Sequence, residues 1–342
     1  MRAGTEGGMA GQDTLVDVVV VNWNGWVHLD RCLAALATQT LHDVAVWVVD
    51  NGSQDGSPAR VRASYPWVEL IENSENRGFA EGSNRGIVAG RAPFVATLNN
   101  DACPEPGWLE ALVEAMEREP AVGMVGSKML CHGQAGRIDS AGIALNRAGI
   151  AWERLAGAPD TPGPETPIEV FGPCAGAALY RRAMLADVGL FDRDLFCYLE
   201  DVDLAWRAQL AGWHALYAPA ARVSHVHSAT LGNRSPLKSY LLGRNKLWTI
   251  IKNYPDPYLG RRWPLIVAYD LLAAAYAVFA EGRPAALWGR LASWRGLKRA
   301  WGKRREIQRR RRVPAAEVDR WLEPLEPPWR LAGRYAHLSG HG

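Results

Sequence analysis

The sequence of 342 residues contains five cysteines and no C-x-x-C pair. The cysteines are scattered and odd in number, which favours reduced thiols in the cytoplasm over a framework of disulfides. The first fourteen residues are polar and rich in glycine, and they lack the apolar segment of a secretory signal peptide. These absences lead us to expect a cytoplasmic protein.

Two nucleotide-binding fingerprints are also missing. No G-x-G-x-x-G follows the first apolar run, which ends instead in Asn22, and no G-x-x-x-x-G-K-[ST] occurs in the chain. The first absence argues against a dinucleotide-binding Rossmann domain, and the second argues against a P-loop ATPase. The composition, 48% hydrophobic and 22% charged, is nevertheless that of a folded globular protein with a sizeable core.

Long apolar runs are scarce. The longest, residues 263–280, is marginal for a membrane span and is interrupted by Asp270. We expect a helix that lies on a membrane or packs on the protein body, and an ordinary core helix is the alternative. Residues 295–312 contain ten lysines and arginines against one acid, Glu306, which suits an anionic membrane surface. A solvated tail and a nucleic-acid-binding segment are the alternatives. The block has no recognisable nucleic-acid motif, so we expect no nucleic-acid partner.

Strand and helix signals alternate over the first 130 residues. Nearly continuous runs of β-branched residues are typical of strands that are buried on both faces. Alternation with amphipathic helices implies a mostly parallel sheet with helices on both faces, so the predicted fold class is α/β with one Rossmann-like central sheet. Strands are predicted at residues 16–22, 44–50, 68–71, 93–98 and 122–130, and helices at 25–38, 80–89 and 108–118.

The remainder of the chain divides by composition. Residues 137–167 are rich in glycine, alanine and proline, and we expect an excursion with a mobile loop. Strand character resumes at 169–180, helices are predicted at 181–188 and 201–211, and the chain is helical and basic from 235 to about 321. The predicted organisation is a flexible N-terminus (1–14), a main domain (15–255, with halves 15–130 and 131–255) and a helical C-terminal extension (256–342).

Polar side chains end two of the predicted strands. Asn99, Asn100 and Asp101 close the strand at 93–98, and ligands of open α/β sheets bind beyond the carboxyl ends of strands. A lone carboxylate there can hold a hard cation such as magnesium on a substrate phosphate. Asp50 ends another buried strand and can accept a hydrogen bond from a base N–H or a ribose hydroxyl, although turn chemistry alone also explains its polar, glycine-rich surroundings.

Three further segments carry candidate groups. In residues 75–84, Gly78 allows close backbone approach to a ligand, while Asn76, Arg77 and Asn84 offer hydrogen bonds. Glu200, Asp201 and Asp203 crowd a helix start, where like charges are expected to raise the pKa of at least one of them and a carboxylate can act as general base. A plain acidic helix start, with Asp203 paired to Arg207, is the alternative. His225 and His227 would face one side of a strand.

The order of these motifs resembles the family 2 glycosyltransferases of GT-A fold over residues 16–255, and among them the bacterial rhamnosyltransferase-type enzymes that build O-antigen and other surface polysaccharides. The quoted motifs run Asn-x-Asn, Asp-Asn-Gly-Ser-x-Asp-Gly, Asn-Arg-Gly-Phe-Ala-x-Gly-Ser-Asn, Asn-Asn-Asp, Glu-Asp-x-Asp and His. The resemblance implies four roles. Nucleotide binding falls to Asn22, Asn24, Asp50, Asn76, Arg77, Gly78, Asn84 and Asn100. Metal binding falls to Asp101 with His225 or His227, and catalysis to Asp201, as the base, and Glu200. Contact with the acceptor or the diphosphate falls to Asp203, Trp213, Arg244 and Asn245.

The resemblance also implies a reaction. A divalent cation (magnesium or manganese) neutralises the leaving nucleoside diphosphate, and Asp201 deprotonates an acceptor hydroxyl that attacks the anomeric carbon with inversion. The donor is a dTDP-, UDP- or GDP-sugar, with rhamnose as one candidate sugar, and the acceptor is a saccharide or lipid-linked saccharide at the inner face of the plasma membrane. The alternative is a GT-A domain that binds nucleotide or polysaccharide without catalysis.

Overall fold

The computed structural model describes residues 14–134, 136–226 and 235–334. In the first part, the predicted alternation of strands and helices is confirmed, because the β-branched runs form strands whose side chains are buried on both faces. The elements are β1 (Val16–Asn22), α1 (Trp26–Leu36), β2 (Val44–Asp50), α2 (Ser57–Ser64), β3 (Val68–Glu72), α3 (Gly78–Ala89), β4 (Phe94–Asn99), β5 (Ala102–Pro104), α4 (Trp108–Glu117) and β6 (Val122–Cys131).

The middle part of the chain departs from prediction in two places. Residues 137–167 contain three short strands with buried side chains, so the predicted loop excursion is wrong there. The strand predicted at 169–180 is two strands, because Pro173 and its glycine neighbours interrupt it. The elements are β7 (Ile138–Ser140), β8 (Ile143–Asn146), β9 (Ala151–Glu153), β10 (Ile168–Val170), β11 (Ala177–Arg181), α5 (Arg182–Val188), α6 (Glu200–Leu210) and β12 (His214–His225).

The central sheet has the strand order β10-β12-β6-β11-β4-β1-β2-β3. The strands β4, β1, β2 and β3 are mutually parallel, β6 is parallel to β12, and β11 runs antiparallel between β4 and β6. Asn22 is in register with Asp50, and Val21 with Asn99. The polar ends of β1, β2 and β4 therefore meet at one edge of the sheet, as the sequence predicts.

Apolar side chains cover both faces of this sheet. Leu29 and Leu33 of α1 and Trp108 and Leu112 of α4 pack on one face without solvent exposure. On the other face, the largest buried side chain is that of Trp206 on α6, which packs beside the rings of Phe171 and Tyr254. The helix that carries the acidic motif is thus fixed to the core by its own apolar residues.

The C-terminal extension is helical and packs on the rest of the chain. Helix α7 (Pro236–Asn253) leads into the extension, whose elements are α8 (Tyr258–Ala275), a π-helical turn (Tyr276–Ala280), α9 (Ala285–Ser293), α10 (Leu297–Arg310), α11 (Ala315–Asp319), β13 (Leu322–Glu323) and α12 (Pro328–Gly333). Strand β13 pairs in parallel with β8, which completes a second sheet in the order β13-β8-β9. This pairing attaches the end of the described chain to the short strands of the middle part.

Part of the basic block binds the protein itself. Lys303 forms ion pairs with Asp192 and Asp194, and Arg312 pairs with Asp187. Arg304 is 4% exposed and donates to the backbone carbonyls of Ile251 and Tyr254. These basic side chains hold α10 on the body, while others, such as Arg305 and Arg309, remain exposed.

The apolar stretch predicted at residues 263–280 forms α8 and the π-helical turn. Within the described residues, Tyr258–Ala280 is one helix of 23 residues that is long and apolar enough to cross a membrane, judged by length and composition only. Asp270 interrupts its apolar surface and pairs with Lys246 of α7 and Arg290 of α9. The two ion pairs attach this helix to α7 and α9.

Candidate functional site

Three predicted residues form one hydrogen-bond network at the ends of β1, β2 and β4. Asn22, which is fully buried, donates to Asp50 at 3.0 Å and accepts from Asn100 at 2.8 Å. Asp50 also accepts from the backbone N–H of Ser53 at 2.7 Å. Each carboxylate oxygen has a second lone pair, so Asp50 keeps acceptor capacity at the sheet edge. The structure brings these three residues together as the sequence predicts.

Asn24 shapes the turn beside this network. It adopts a positive φ of 50°, its N–H donates to the Ser53 hydroxyl at 2.8 Å, and its side-chain oxygen accepts from the N–H of Gln54 at 2.7 Å. These bonds join the turn after β1 to the turn after β2. Asn24 therefore holds the rim of the predicted nucleotide site.

The segment before α3 contacts the loop that leads into α6. Asn76 accepts from the N–H of Gly78, whose φ is +79°, and a Cβ added at Gly78 would lie 2.3 Å from the carbonyl oxygen of Phe196. Only glycine permits this close approach. Asn84 exchanges two hydrogen bonds with the backbone of Phe191, while Arg77 is partly exposed beside Glu75. Asn84 is therefore occupied in holding a loop, which differs from its predicted place in the nucleotide pocket.

Asp101 and His225 meet at the edge of the sheet, as predicted for a metal site. Asp101 Oδ1 lies 3.1 Å from His225 Nε2, and both residues are buried. On the other side of the ring, Nδ1 of His225 lies 2.6 Å from Asp139 Oδ2. A carboxylate that accepts from one ring nitrogen turns the other toward a metal, which is the usual support of a histidine ligand.

The charges at this position favour a cation. Burial by itself would lower the pKa of His225, but the carboxylates of Asp101 and Asp139 outweigh it and raise that pKa to about 10. A site that stabilises positive charge on the imidazole also suits a divalent ion held by a carboxylate and a neutral imidazole. The residues therefore fit a divalent cation. His227, the other predicted ligand, lies outside the described residues.

Asp201 lies in the first turn of α6, where it faces the segment between β10 and β11. Its carboxylate accepts from the N–H of Ala175 at 3.3 Å, and the next residue, Gly176, accepts a bond from the N–H of Asn99 at 2.8 Å. These two bonds connect the acidic helix start to the end of β4. Burial raises the pKa of Asp201 despite the backbone hydrogen bonds that oppose it. Burial, and after it the charge of Asp201, raise the pKa of Glu200 to about 8.

The loop before α6 is strained and is held by α7. Phe196, Tyr198 and Leu199 all have positive φ, which is uncommon outside glycine and costs free energy. Asn245, fully buried, donates to the carbonyls of Leu195, Cys197 and Tyr198 at 2.8–2.9 Å.

Arg244 binds the same loop through the carbonyls of Asp194 and Leu195 and stacks on Trp248. The predicted diphosphate or acceptor contact is corrected for Asn245, whose amide donors bind the loop backbone, whereas for Arg244, which uses Nη2 on the loop and Nε on Asn245, it stays a prediction.

Two other predicted contacts lie elsewhere. Asp203 has no exposed surface, and its oxygens bind Arg207, Lys252 and Asn253, so it belongs to a buried ion cluster. Trp213 precedes β12 at the end opposite His225 and donates to Asp187 at 2.8 Å. Neither side chain joins the groups around Asp101 and Asp201, so both predictions are corrected. For Asp203, the pairing with Arg207 that the sequence offered as an alternative is present.

Two acids near the site, the buried Asp139 and the half-buried Glu153, were missed from the sequence. Asp139 supports His225, and Glu153 of β9 has a carboxylate oxygen within 4.8 Å of Asp201 and of the Cys174 thiol. Both lie in the segment interpreted as a loop. Asp139 and His225 are 86 positions apart, so local spacing gives no signal that could pair them.

The fold and the site define a class of protein. Residues 17–189 match the family model described as "Glycosyl transferase family 2", and the chain belongs to that family. The central sheet, the flanking helices and the structural neighbours give it the GT-A fold, so it is a glycosyltransferase by family.

Two glycosyltransferases of Mycobacterium tuberculosis are similar to the chain in sequence. The chain is 32% identical to the N-acetylglucosaminyl-diphospho-decaprenol L-rhamnosyltransferase of Mycobacterium tuberculosis, over 68% of this chain and 82% of the relative. It is 30% identical to the pre-mycofactocin glycosyltransferase of the same organism, over 69% of this chain and 47% of the relative.

Two solved structures share the fold. GalNAc-T7 with UDP, GalNAc and Mn2+ superposes with a TM-score of 0.56 at 14% identity, over 83% of this chain and 56% of that one. S. aureus TarS 1-349 in complex with UDP superposes with a TM-score of 0.51 at 17% identity, over 90% of this chain and 83% of that one. The chain thus resembles these two Mycobacterium glycosyltransferases in sequence, and it shares its fold with the two solved structures.

Proposed function

We propose that the protein is an inverting, cation-dependent glycosyltransferase that moves a sugar, with rhamnose as the first candidate, from a nucleoside diphosphate to a lipid-linked saccharide. One observation carries the proposal: the Asp101–His225–Asp139 arrangement lies at the same sheet edge as the Asn22–Asp50–Asn100 network, and Ala175 and Gly176 connect Asp201 to the end of β4 at that edge. The proposed cation ligands, nucleotide-binding residues and base are thus all attached to one edge of the sheet.

The residues divide the chemistry between them. Asp50 and Asn22 hold the nucleoside, and Asp101 and His225 hold the cation, with Asp139 fixing the orientation of the imidazole. Bound there, a divalent cation supplies positive charge that stabilises the leaving diphosphate. Asp201 accepts the proton of the acceptor hydroxyl as this hydroxyl attacks the anomeric carbon. One base acting in a single displacement gives inversion at that carbon, and removal of the base is expected to cost ~10²–10⁴-fold in rate.

The choice of substrates follows the relatives. The first Mycobacterium relative is named for transfer of L-rhamnose to an N-acetylglucosaminyl-diphospho-decaprenol, and the structural neighbours were solved with UDP or Mn2+. We infer a deoxythymidine- or uridine-diphosphate sugar as donor and an N-acetylglucosaminyl diphospho-lipid as acceptor, with magnesium or manganese. A GDP-sugar remains part of the test panel.

A substrate panel tests this proposal. The full chain is incubated with dTDP-rhamnose, UDP-sugars or GDP-sugars, with Mg²⁺ or Mn²⁺, and with a short-chain N-acetylglucosaminyl diphospho-prenol. We expect one donor to give a glycosylated lipid, with loss of product when EDTA is added, and NMR of the product to show inverted configuration at the transferred carbon. Nucleotide binding without transfer from any donor would favour a non-catalytic nucleotide-binding domain instead.

We also propose that the extension binds an anionic membrane, at the inner face of the plasma membrane, through α8, the π-helical turn that follows it, and α9 with the turn at Trp294. Phe279 is 88% exposed, Trp294 70%, Leu271 66% and Trp288 63%, and the exposed Arg295 stands beside Trp294. Exposed tryptophan, phenylalanine and leucine with neighbouring basic residues are typical of segments that lie in a membrane interface. Lys303, Arg304 and Arg312 of the basic block (residues 295–312) form ion pairs with acids of the protein itself. The block therefore contributes less to membrane binding than its ten basic residues would suggest.

Vesicle flotation tests the membrane proposal. With vesicles of phosphatidylglycerol and phosphatidylethanolamine, we expect the wild type to float and the double variant Phe279→Asp, Trp288→Asp to remain in the dense fraction. Val88→Asp, at a residue 72% exposed on α3, is the matched control and should float. Equal flotation of all three proteins would contradict the proposal.

A further inference from the structure

The carboxylate of Glu153 lies beside that of Asp201, although the two residues belong to different layers of the fold. Glu153 is the last residue of β9 in the small β13-β8-β9 sheet, and Asp201 is in the first turn of α6. One oxygen of each carboxylate and the Cys174 sulfur lie within 4.8 Å of one another. The small sheet therefore places a second acid, Glu153, beside Asp201, the proposed base.

The surroundings hold Glu153 in a defined orientation. The Ser140 hydroxyl donates to its Oε2 at 2.5 Å, and β9 is fixed by its pairing with β8, where Glu153 is in register with Ile143. The side chain is half-buried rather than sealed in the core. A group that is oriented by its neighbours and still reachable from outside is suited to binding a substrate.

Glu200, the residue directly before Asp201, has a side-chain oxygen that lacks a partner among the described residues. Glu200 is 6% exposed, and its Oε2 makes no hydrogen bond to any residue in the described part of the chain. A buried oxygen without a partner is costly and usually signals a ligand or water that completes its hydrogen bonds. The start of α6 thus combines a carboxylate beside Asp201 with a buried oxygen that a ligand or water would satisfy.

The charges of the cluster are compatible with hydrogen bonding to hydroxyl groups. Burial and the charge of Asp201 raise the pKa of Glu153 to about 8, while the Ser140 hydrogen bond opposes the shift. The groups that act on Glu153 include Asp201, Asp139, Ser140 and Cys174, and the Lys238 ammonium also interacts with it. Near neutral pH Glu153 is largely protonated, so its carboxyl group both donates and accepts hydrogen bonds.

We propose that Glu153 binds the acceptor sugar at the hydroxyl or acetamido group next to the hydroxyl that Asp201 deprotonates. This inference rests on the proposed function and deepens it by naming a specificity-determining residue. Two carboxyl groups side by side match two neighbouring substituents of a pyranose ring, which are about 3 Å apart, the length of one hydrogen bond. The acceptor class is therefore a sugar with a free polar substituent adjacent to the attacked position.

Acceptor analogues that lack one ring substituent distinguish acceptor binding by Glu153 from a purely structural role of this residue. Wild type, Glu153→Gln and Glu153→Asp are assayed with the N-acetylglucosaminyl diphospho-prenol acceptor and with analogues that lack one ring substituent at a time. Glu169→Gln, which changes an exposed glutamate of β10, is the matched control. The donor KM and the thermal midpoint of each protein are measured alongside.

We expect Glu153→Asp, whose carboxyl group is set back by one methylene, to raise the acceptor KM about tenfold, the effect of one lost hydrogen bond, with the donor KM unchanged. Glu153→Gln keeps a donor and an acceptor, like the protonated carboxyl group, and should stay near wild type. The analogue that lacks the contacted substituent should lose a similar factor with wild type and nothing further with Glu153→Asp. Equal additional losses with every analogue, or an acceptor KM of Glu153→Asp that matches that of wild type, would overturn the inference. If wild type transfers sugar to no acceptor, the proposed function itself fails, which is a different result.

Discussion

Asp139 Oδ2 lies 2.6 Å from His225 Nδ1, and the opposite ring nitrogen, Nε2, lies 3.1 Å from Asp101 Oδ1. The imidazole is thus held between two buried carboxylates, one in the middle of β7 and one after β4. The first fixes its orientation, and the second shares with it the position proposed for the cation. An acid in a short strand of the middle part therefore controls a group at the end of β12.

Replacement of Asp139 by asparagine should weaken cation binding without removing a proposed ligand. Loss of a carboxylate that supports a histidine ligand typically costs about 10–100-fold in metal affinity or activity. We expect the Mn²⁺ concentration for half-maximal transfer to rise by about that factor, with activity partly restored by excess cation. Asp160→Asn, which removes a charge paired with Lys128 and Arg222, is the control. An unchanged cation dependence in Asp139→Asn would refute this role.

Asn245→Ala should destabilise the protein and impair transfer together. The substitution removes the amide that donates to the carbonyls of Leu195, Cys197 and Tyr198, of which only that of Leu195 keeps Arg244 as a side-chain donor, at a cost of about 2–4 kcal/mol in the free energy of unfolding. The loop before Asp201 would then relax from its positive-φ conformation. Urea denaturation measures the first effect, and kcat measures the second. Leu242→Ala, at an exposed position of α7, should change neither by much, and equal behaviour of the two variants would argue against the role of Asn245.

Glu200→Gln should make the protein more stable in alkaline solution. The pKa of Glu200 is raised to about 8 by burial and by Asp201, so the folded state retains a proton that the unfolded chain releases near its ordinary pKa. The free energy of unfolding of the wild type therefore falls as pH rises from about 4.5 to about 8, by a few kcal/mol at most. The glutamine variant lacks this dependence.

The check is the thermal midpoint at pH 5 and at pH 8. The difference between Glu200→Gln and wild type should be small at pH 5 and clearly positive at pH 8, while Glu169→Gln follows wild type at both. A variant that is equally or less stable at pH 8 would show that Glu200 is not protonated in the folded protein.

The sequence predicts the sheet edge well because its signals are local. The β-branched runs that end in Asn22, Asp50 and Asn99 form parallel strands in register, and parallel strands place their carboxyl ends on one edge. The acidic start of α6 is local in the same way. Each of these groups could be placed from a few neighbouring residues and a general rule for α/β sheets.

The remaining parts of the site depend on contacts that no local pattern encodes. Asp139 and Glu153 lie in strands of three residues within a segment rich in glycine and proline, and tertiary pairing with β6 and β8 makes them strands. The sequence predicts that Arg244 and Asn245 contact substrate, whereas in the structure both donate hydrogen bonds to backbone carbonyls of the strained loop before α6. The buried ion cluster of Asp203 likewise involves Lys252, a residue of a distant helix.

The assignment of Asp201 as the base is tested most directly by Asp201→Asn, with transfer and donor binding measured on the same preparation. Asparagine keeps the shape of the side chain and removes the proton acceptor. We expect transfer to fall by ~10²–10⁴-fold while the affinity for the nucleoside diphosphate in the presence of Mn²⁺ stays near that of wild type. Full transfer activity in Asp201→Asn would contradict the proposed mechanism.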